Sequence, residues 1–105
     1  MSRNQDSQVA RSEGVFAISV AANMVSMEIA NLRVYERRGL VLPDRTAGGS
    51  RLYSSEDITR LHRIRELLAA GLNLAGVGRV LVLEERVRTL EARLADEQGE
   101  PVADG

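Results

Sequence analysis

A mainly α fold is predicted for this chain, with short helices at the front, a two-stranded hairpin among them, and a long C-terminal helix. Three observations predict it. Apolar residues recur at helical spacing in two stretches: Ile29, Leu32 and Tyr35, then Ile58, Leu61, Ile64, Leu67 and Leu68. Between them lies a turn cluster, Thr46-Ala47-Gly48-Gly49-Ser50, with an extended run on each side. Beyond them Val80, Leu83, Val87, Leu90 and Leu94 alternate spacings of three and four residues, the a/d seam of a coiled coil.

Taken in order, residues 1–14 read as a flexible N-terminal arm. Ile18-Ser19 opens the first element, and Ser19 is the expected N-cap of a helix over Val20–Val25. Ser26-Met27 is the expected turn. A second helix is expected from about Glu28 to Arg38, with Gly39 in the C′ position because it tolerates positive φ. Val41-Leu42-Pro43 is extended, since Pro43 excludes the α region at Leu42, and Arg51-Leu52-Tyr53 returns as the second strand. Ser54-Ser55-Glu56-Asp57 starts the third helix as a capping box, and Gly71 ends it. Asn73 caps the last helix, expected from Leu74 to about Glu97, with Gly76 and Gly78 weakening its first turns by roughly 1 kcal/mol each relative to Ala. Glu84 with Arg88, and Arg93 with Glu97, are opposite charges at i,i+4. Residues 98–105 lack periodicity and are expected to form a disordered tail.

The seam carries a consequence for assembly. On a lone helix projecting from so small a domain, Val80, Leu83, Val87, Leu90 and Leu94 would lie in water. A second copy of the chain is the expected cover; the alternative is that the helix folds back on its own domain.

Composition narrows the function. A chain of 105 residues is one small domain plus an extension, and 44% hydrophobic content suits a folded protein. With only 3% aromatic residues, the core is expected to be aliphatic. The absence of cysteine excludes disulfides, thiolate metal sites and cysteine redox sensing. The single histidine, His62, cannot build a metal site alone. No apolar run approaches the ~18 residues needed to span a membrane. Residues 1–13 have no apolar core of the signal-peptide kind, so a cytoplasmic protein with no membrane contact is expected. Carboxylates are scattered, with no nucleophile–base pair and no phosphate loop, so an enzyme is not expected and no cofactor is implied.

Charge is segregated. The net charge is −1, but residues 14–82 carry +3 and residues 83–105 carry −4. All fourteen basic residues are arginine, the side chain suited to two-pronged contact with phosphate or guanine. Five of them, Arg33, Arg37, Arg38, Arg45 and Arg51, fall in the second helix and the hairpin against only Glu36 and Asp44. A short basic helix, a turn and a Gly-tipped hairpin ending in Arg and Tyr is the layout of a winged helix-turn-helix that holds double-stranded DNA. Residues 15–76 are expected to form that domain, with a two-stranded wing, and residues 77–97 the dimerisation helix. Arg37 and Arg38 are either solvated helix-end charges or DNA contacts. Glu36 is expected to pair with Arg51 or a neighbouring arginine and pin the wing to the helix.

Leu32-Arg33-Val34-Tyr35-Glu36 with Gly39-Leu40, and Arg51-Leu52-Tyr53-Ser54, resemble the recognition-helix run and wing closure of the MerR-type transcriptional regulators. Ile18-Ser19-Val20-Ala21-Ala22, Gly39-Leu40-Val41, Asp44-Arg45-Thr46-Ala47-Gly48-Gly49 and Asn73-Leu74-Ala75-Gly76-Val77 are most similar to the actinobacterial heat-shock repressors of that family. The resemblance covers about residues 16–95. It implies a C-terminal helix that pairs with its twin as an antiparallel coiled coil, and a homodimer on an inverted-repeat operator. It implies that Arg33, Tyr35, Arg45, Arg51 and Tyr53 face DNA. Repressors of this branch can use a chaperone, so a protein co-regulator of that kind is also implied. Members of the family usually end in an effector domain, whereas this chain ends soon after the seam.

Positions 28–31 depart from the family pattern of a short polar cap and a polar or basic residue entering the groove. Glu28 suits the helix dipole but repels phosphate, and it can accept at most from a cytosine amino group. Ala30 offers only a methyl group, and Asn31 can read adenine through N6 and N7. Val34 stands where a tyrosine is frequent. Two other classes stay open: an architectural, excision-factor-like DNA-bending protein, which the strong seam disfavours, and an interaction module that pairs with a related regulator.

Overall fold

The computed structural model describes residues 12–104, with side chains through Gln98. The order is β1 (Phe16–Ala17), α1 (Ile18–Val25), α2 (Ile29–Arg37), β2 (Asp44–Arg45), β3 (Arg51–Tyr53), α3 (Ser55–Ala69) and α4 (Leu74–Asp104). Contacts divide the chain into two compact units, Met1–Leu67 and Leu68–Gly105.

The hairpin is larger than its sequence suggests. β2 and β3 form the expected antiparallel hairpin, but its first strand is Asp44–Arg45 and not the expected run Val41–Pro43, with Arg45 opposite Arg51; β1 adds a third strand in the order β1-β3-β2, with Phe16 opposite Tyr53. A two-residue strand is too short to display alternation, so the sequence carries no periodic signal for it. Tertiary bonds create it instead. The Val15 N–H donates to the Tyr53 carbonyl at 2.9 Å, and the Gly14 N–H donates to Asp44 Oδ2 at 3.0 Å. Of the expected arm, residues 1–11 lie outside the described residues, and Gly14 is tied to the sheet.

This third strand moves the start of α1. Ser19 is not its cap: the N-cap is Ala17, extended at φ −64 and ψ 159 and making no side-chain cap bond, because Ala17 is held opposite Leu52. Sheet pairing sets the extended residue, and the helix starts directly after it. At the other end Ser26 adopts φ 56, and Met27 N–H reaches back to the Ala22 carbonyl at 3.0 Å, closing the last turn. α2 follows with Glu28 as N-cap, again without a side-chain cap bond. Gly39, at φ 75, and Leu40 close its C-terminus onto Glu36 and Tyr35 carbonyls.

The reciprocal cap of α3 forms as the sequence indicates. Asp57 N–H donates to Ser54 Oγ at 3.0 Å, and Ser54 N–H donates to Asp57 Oδ2 at 2.9 Å. Asn73 Oδ1 accepts from Gly76 N–H at 2.8 Å and caps α4. α4 does not end near Glu97: its backbone stays helical through Asp104, past Gly99 and Pro101, where a disordered tail is expected from the sequence. The stretch lacks the apolar periodicity that marks a packed helix face, but a helix already nucleated upstream can continue without one.

The core of the first unit is built from Ala21, Ala22 and Val25 on α1, Leu32 and Tyr35 on α2, Leu40 and Val41 after it, Tyr53 on β3, and Ile58, Leu61, Ile64 and Leu67 on α3. Both tyrosines of the chain are buried, so the core is not purely aliphatic. Small residues on α1 let α2 and the sheet approach it, and full burial of Leu32 contributes about 1.5–3 kcal/mol. In the second unit Val77 and Leu81 are buried.

Gly14 is the tightest point of the sheet: a Cβ there would overlap the Leu52 carbonyl oxygen, which is backbone and cannot turn away. Gly14→Ala is therefore expected to lower stability by more than about 1 kcal/mol in urea titration. Gly48→Ala, where a Cβ meets only Thr46 Oγ1 at 3.9 Å, is expected to leave it unchanged. Equal midpoints for the two variants would refute the close approach.

Candidate nucleic-acid interface

α2 is amphipathic because Leu32 and Tyr35 pack inward, which turns the remaining positions outward. Asn31, Arg33, Arg37 and Arg38 are exposed, and Ala30 with them; Val34 is half-buried. Arg33, Arg37 and Arg38 form no ion pair among the described residues. Three cationic forks are thus presented to solvent by one short helix and its C-cap, each able to grip an anionic oxygen through two N–H groups.

The wing is fastened to this helix by one carboxylate. Glu36 Oε2 accepts from Arg45 Nη2 at 2.7 Å, and Glu36 Oε1 accepts from Arg51 Nε. Arg45 Nη1 also donates to the Gly49 carbonyl at 2.8 Å, which holds the hairpin turn closed. The turn is further set by Ser50 N–H on Thr46 Oγ1 at 3.0 Å and by Gly49 at φ 92. Burial works to raise the Glu36 pKa, but hydrogen bonds from Arg51 and Arg45 and their positive charges outweigh it and hold the carboxyl below its ordinary value. Glu36 is therefore ionised at neutral pH. Arg51 spends only its Nε–H on Glu36, so its terminal nitrogens stay available.

The structure separates the expected DNA-facing residues into two groups. Asn31, Arg33, Arg37, Arg38 and Arg45 are exposed, and Arg51 is half-buried with its fork beside Glu36. Tyr53 belongs elsewhere. Tyr53 has no exposure at all, and its hydroxyl is buried without a partner among the described residues, so it is a core residue and not a surface contact. Its ring fills the space between sheet and helices, and burial raises its pKa. Tyr35 is also buried, at 5% exposure, and raised for the same reason. Two participants have no local signal in the sequence. Arg60 Nε on α3 donates to the Leu40 carbonyl, bracing the segment after α2, and Asp44 holds Gly14; their partners lie 20 and 30 residues away.

On α4, Leu83, Val87, Leu90 and Leu94 are 59%, 50%, 56% and 53% exposed, and Val80 is half-buried. Among the described residues no cluster of His, Cys, Asp and Glu could hold a metal, and no helix is long and apolar enough to cross a membrane.

Residues 16–83 match the model of the MerR HTH family of regulatory proteins. The heat shock protein HspR of Streptomyces coelicolor is 47% identical over 83 residues, covering 78% of this chain and 55% of that protein. The HTH-type transcriptional regulator GlnR of Bacillus anthracis is 39% identical over 75 residues, covering 71% of this chain and 58% of that protein. The chain thus spans little more than half the length of these curated relatives. A crystal structure of a MerR-family transcriptional regulator from Bacillus cereus is 25% identical, with a TM-score of 0.61, covering 85% of this chain and 72% of that one.

Glu36→Gln removes the charge that both wing arginines share while keeping the shape. It is expected to cost about 1 kcal/mol, because the half-buried Arg51 and the exposed Arg45 lose the anion they share. Since the folded carboxyl sits below its unfolded value, its contribution is complete above the ordinary carboxylate range and fades as pH falls through the lowered value. Urea midpoints measured from neutral to acidic pH should show that fading in the native chain and lose part of it in Glu36→Gln; identical profiles would refute the clamp.

Proposed function

The chain belongs to the MerR family of helix-turn-helix regulatory proteins, and from that premise we propose that it is a DNA-binding transcriptional repressor acting as a homodimer on an inverted-repeat operator. The observation that carries this reading is the arginine set Arg33 and Arg37 on α2 and Arg38 at its C-cap, unpaired among the described residues and joined through Glu36 to the wing arginines Arg45 and Arg51. In this reading α2 enters the major groove and the wing lies along the adjacent backbone. Arginine contacts to phosphate supply most of the affinity and fix the register, and they are sequence-independent. Base contacts from the outward side of α2 supply the selection.

Dimerisation follows from the exposed row Leu83, Val87, Leu90 and Leu94. Pairing these residues with a second copy removes them from water, and two winged domains related by a dyad call for a palindromic site. Occupation of a promoter by such a dimer blocks transcription. The printed name of GlnR, a transcriptional regulator, and the match to the MerR HTH family of regulatory proteins support a role in transcription.

Arg33→Ala is expected to weaken DNA binding by about 1–3 kcal/mol and, if its fork grips phosphate, to flatten the slope of log affinity against log salt by about 1. Mobility shifts at several salt concentrations measure both; unchanged affinity in Arg33→Ala and in Arg37→Ala would remove α2 from the interface. Leu90→Glu puts an unpaired charge in the seam and should yield monomers in sedimentation, with full-palindrome binding lost. A native chain that sediments as a monomer at tens of micromolar would reject the homodimer.

A further inference from the structure

The outward side of α2 carries a feature that its arginines do not explain. Leu32 and Tyr35 define the inner side, and at about 100° per residue Ala30 and Arg37 fall at the middle of the opposite side, flanked by Arg33 and Val34. Exposure agrees: Ala30, Arg33 and Arg37 are exposed and Val34 is half-buried. Ala30 and Val34 are i,i+4 neighbours, so their methyl groups form one short strip along the helix between arginines. The strip has no hydrogen-bonding atom. The two polar candidates nearby lie off it. Glu28 is the N-cap, extended and outside the helical turns, and Asn31 sits on the flank.

An apolar strip facing the floor of the major groove has one base-specific complement. Guanine N7 and O6, adenine N7 and N6, cytosine N4 and thymine O4 all need a hydrogen-bonding partner, and a methyl group laid over them leaves them unsatisfied. The thymine C5-methyl is the exception, since contact removes apolar surface from water on both sides. The shortness of Ala30 also lets the helix backbone approach the floor, while Arg33 and Arg37 are long enough to reach outward to phosphates.

We propose that Ala30 and Val34 are specificity-determining residues that read thymine methyl groups, so that each half-site presents thymine where the outward strip of α2 meets the groove floor. This rests on the DNA-binding reading above and adds to it the chemistry of the bases selected. Selectivity is then methyl recognition, and the arginines act mainly on the backbone.

The test uses deoxyuridine, which pairs as thymine does and lacks only the C5-methyl. The full chain first selects genomic fragments, and the common site is synthesised with each thymine replaced in turn. One or two thymines per half-site should respond, each replacement weakening binding about fourfold, the worth of one buried methylene-sized group. Ala30→Gly and Val34→Ala should each abolish the response at one of those thymines. Ala30→Ser, which keeps a side chain of similar size on the helix and replaces the outward apolar group with a hydroxyl, should do the same as Ala30→Gly, so that a change in helix stability is not mistaken for lost contact. A fully deoxyuridine-substituted site bound as tightly as the thymine site would overturn the proposal. So would a response that persists undiminished in all three variants. A chain that selects no DNA would overturn the binding reading itself, and the methyl proposal with it.

Discussion

The Glu36 carboxylate is the constraint on which the arrangement of cations depends. It lies on α2 beside Tyr35, which is buried, so its place is set by the core and not by its own charge. From there its two oxygens each take one arginine of the wing, Arg45 on β2 and Arg51 on β3. Without that anion, two positive groups on paired strands would face one another and the positive face of α2 across a half-buried gap. With it, the repulsion becomes an attraction that orients both forks. An isolated surface ion pair contributes little, but a carboxylate with 18% exposure that accepts from two guanidinium groups is shielded from solvent and geometrically restrained. The result is a net positive surface whose parts hold fixed positions relative to one another.

The same sheet links this clamp to the front of the chain. β1 pairs with β3, the strand that carries Arg51, and Gly14 is held by Asp44 on β2. α1 starts directly after β1 ends, so the position of α1 against α2 is set by the sheet that Glu36 fastens to α2. Small side chains, Ala21 and Ala22, let these elements approach closely. A domain of this size has little core to spare, and its short strands gain stability from specific bonds at their ends as much as from apolar area.

Charge is segregated along the chain. Arginines dominate residues 14–82, whereas acids dominate residues 83–105, so an anionic surface would be attracted by the first stretch and repelled by the second. The exposed Leu83, Val87, Leu90 and Leu94 of α4 are aligned on one side over about three turns, the spacing of a coiled-coil seam. Charged residues lie between them, including the Arg88–Glu85 pair at 2.7 Å.

Helix identity was legible in the residues themselves. Periodic Leu and Ile mark α2 and α3, the Ser54–Asp57 box and Asn73 mark two starts, Gly39 and Gly71 mark two ends, and the alternating seam marks α4, because each of these signals lies within a few residues of its effect. The pairing of Glu36 with a wing arginine could also be anticipated from local charge. What only the tertiary structure decided involves partners far apart in the chain: the third strand β1, the start of α1 at Ile18 and not after Ser19, the brace from Arg60 to Leu40, and the burial of Tyr53. Tyr53 shows the reason most plainly. A tyrosine beside an arginine in a basic hairpin has the composition of a surface contact, but a strand turns alternate side chains to opposite faces, and which face is covered depends on the helices packed there. Sequence alone set which segments are helical and which residues carry charge; packing between distant segments decided which of those residues water, or another molecule, can reach.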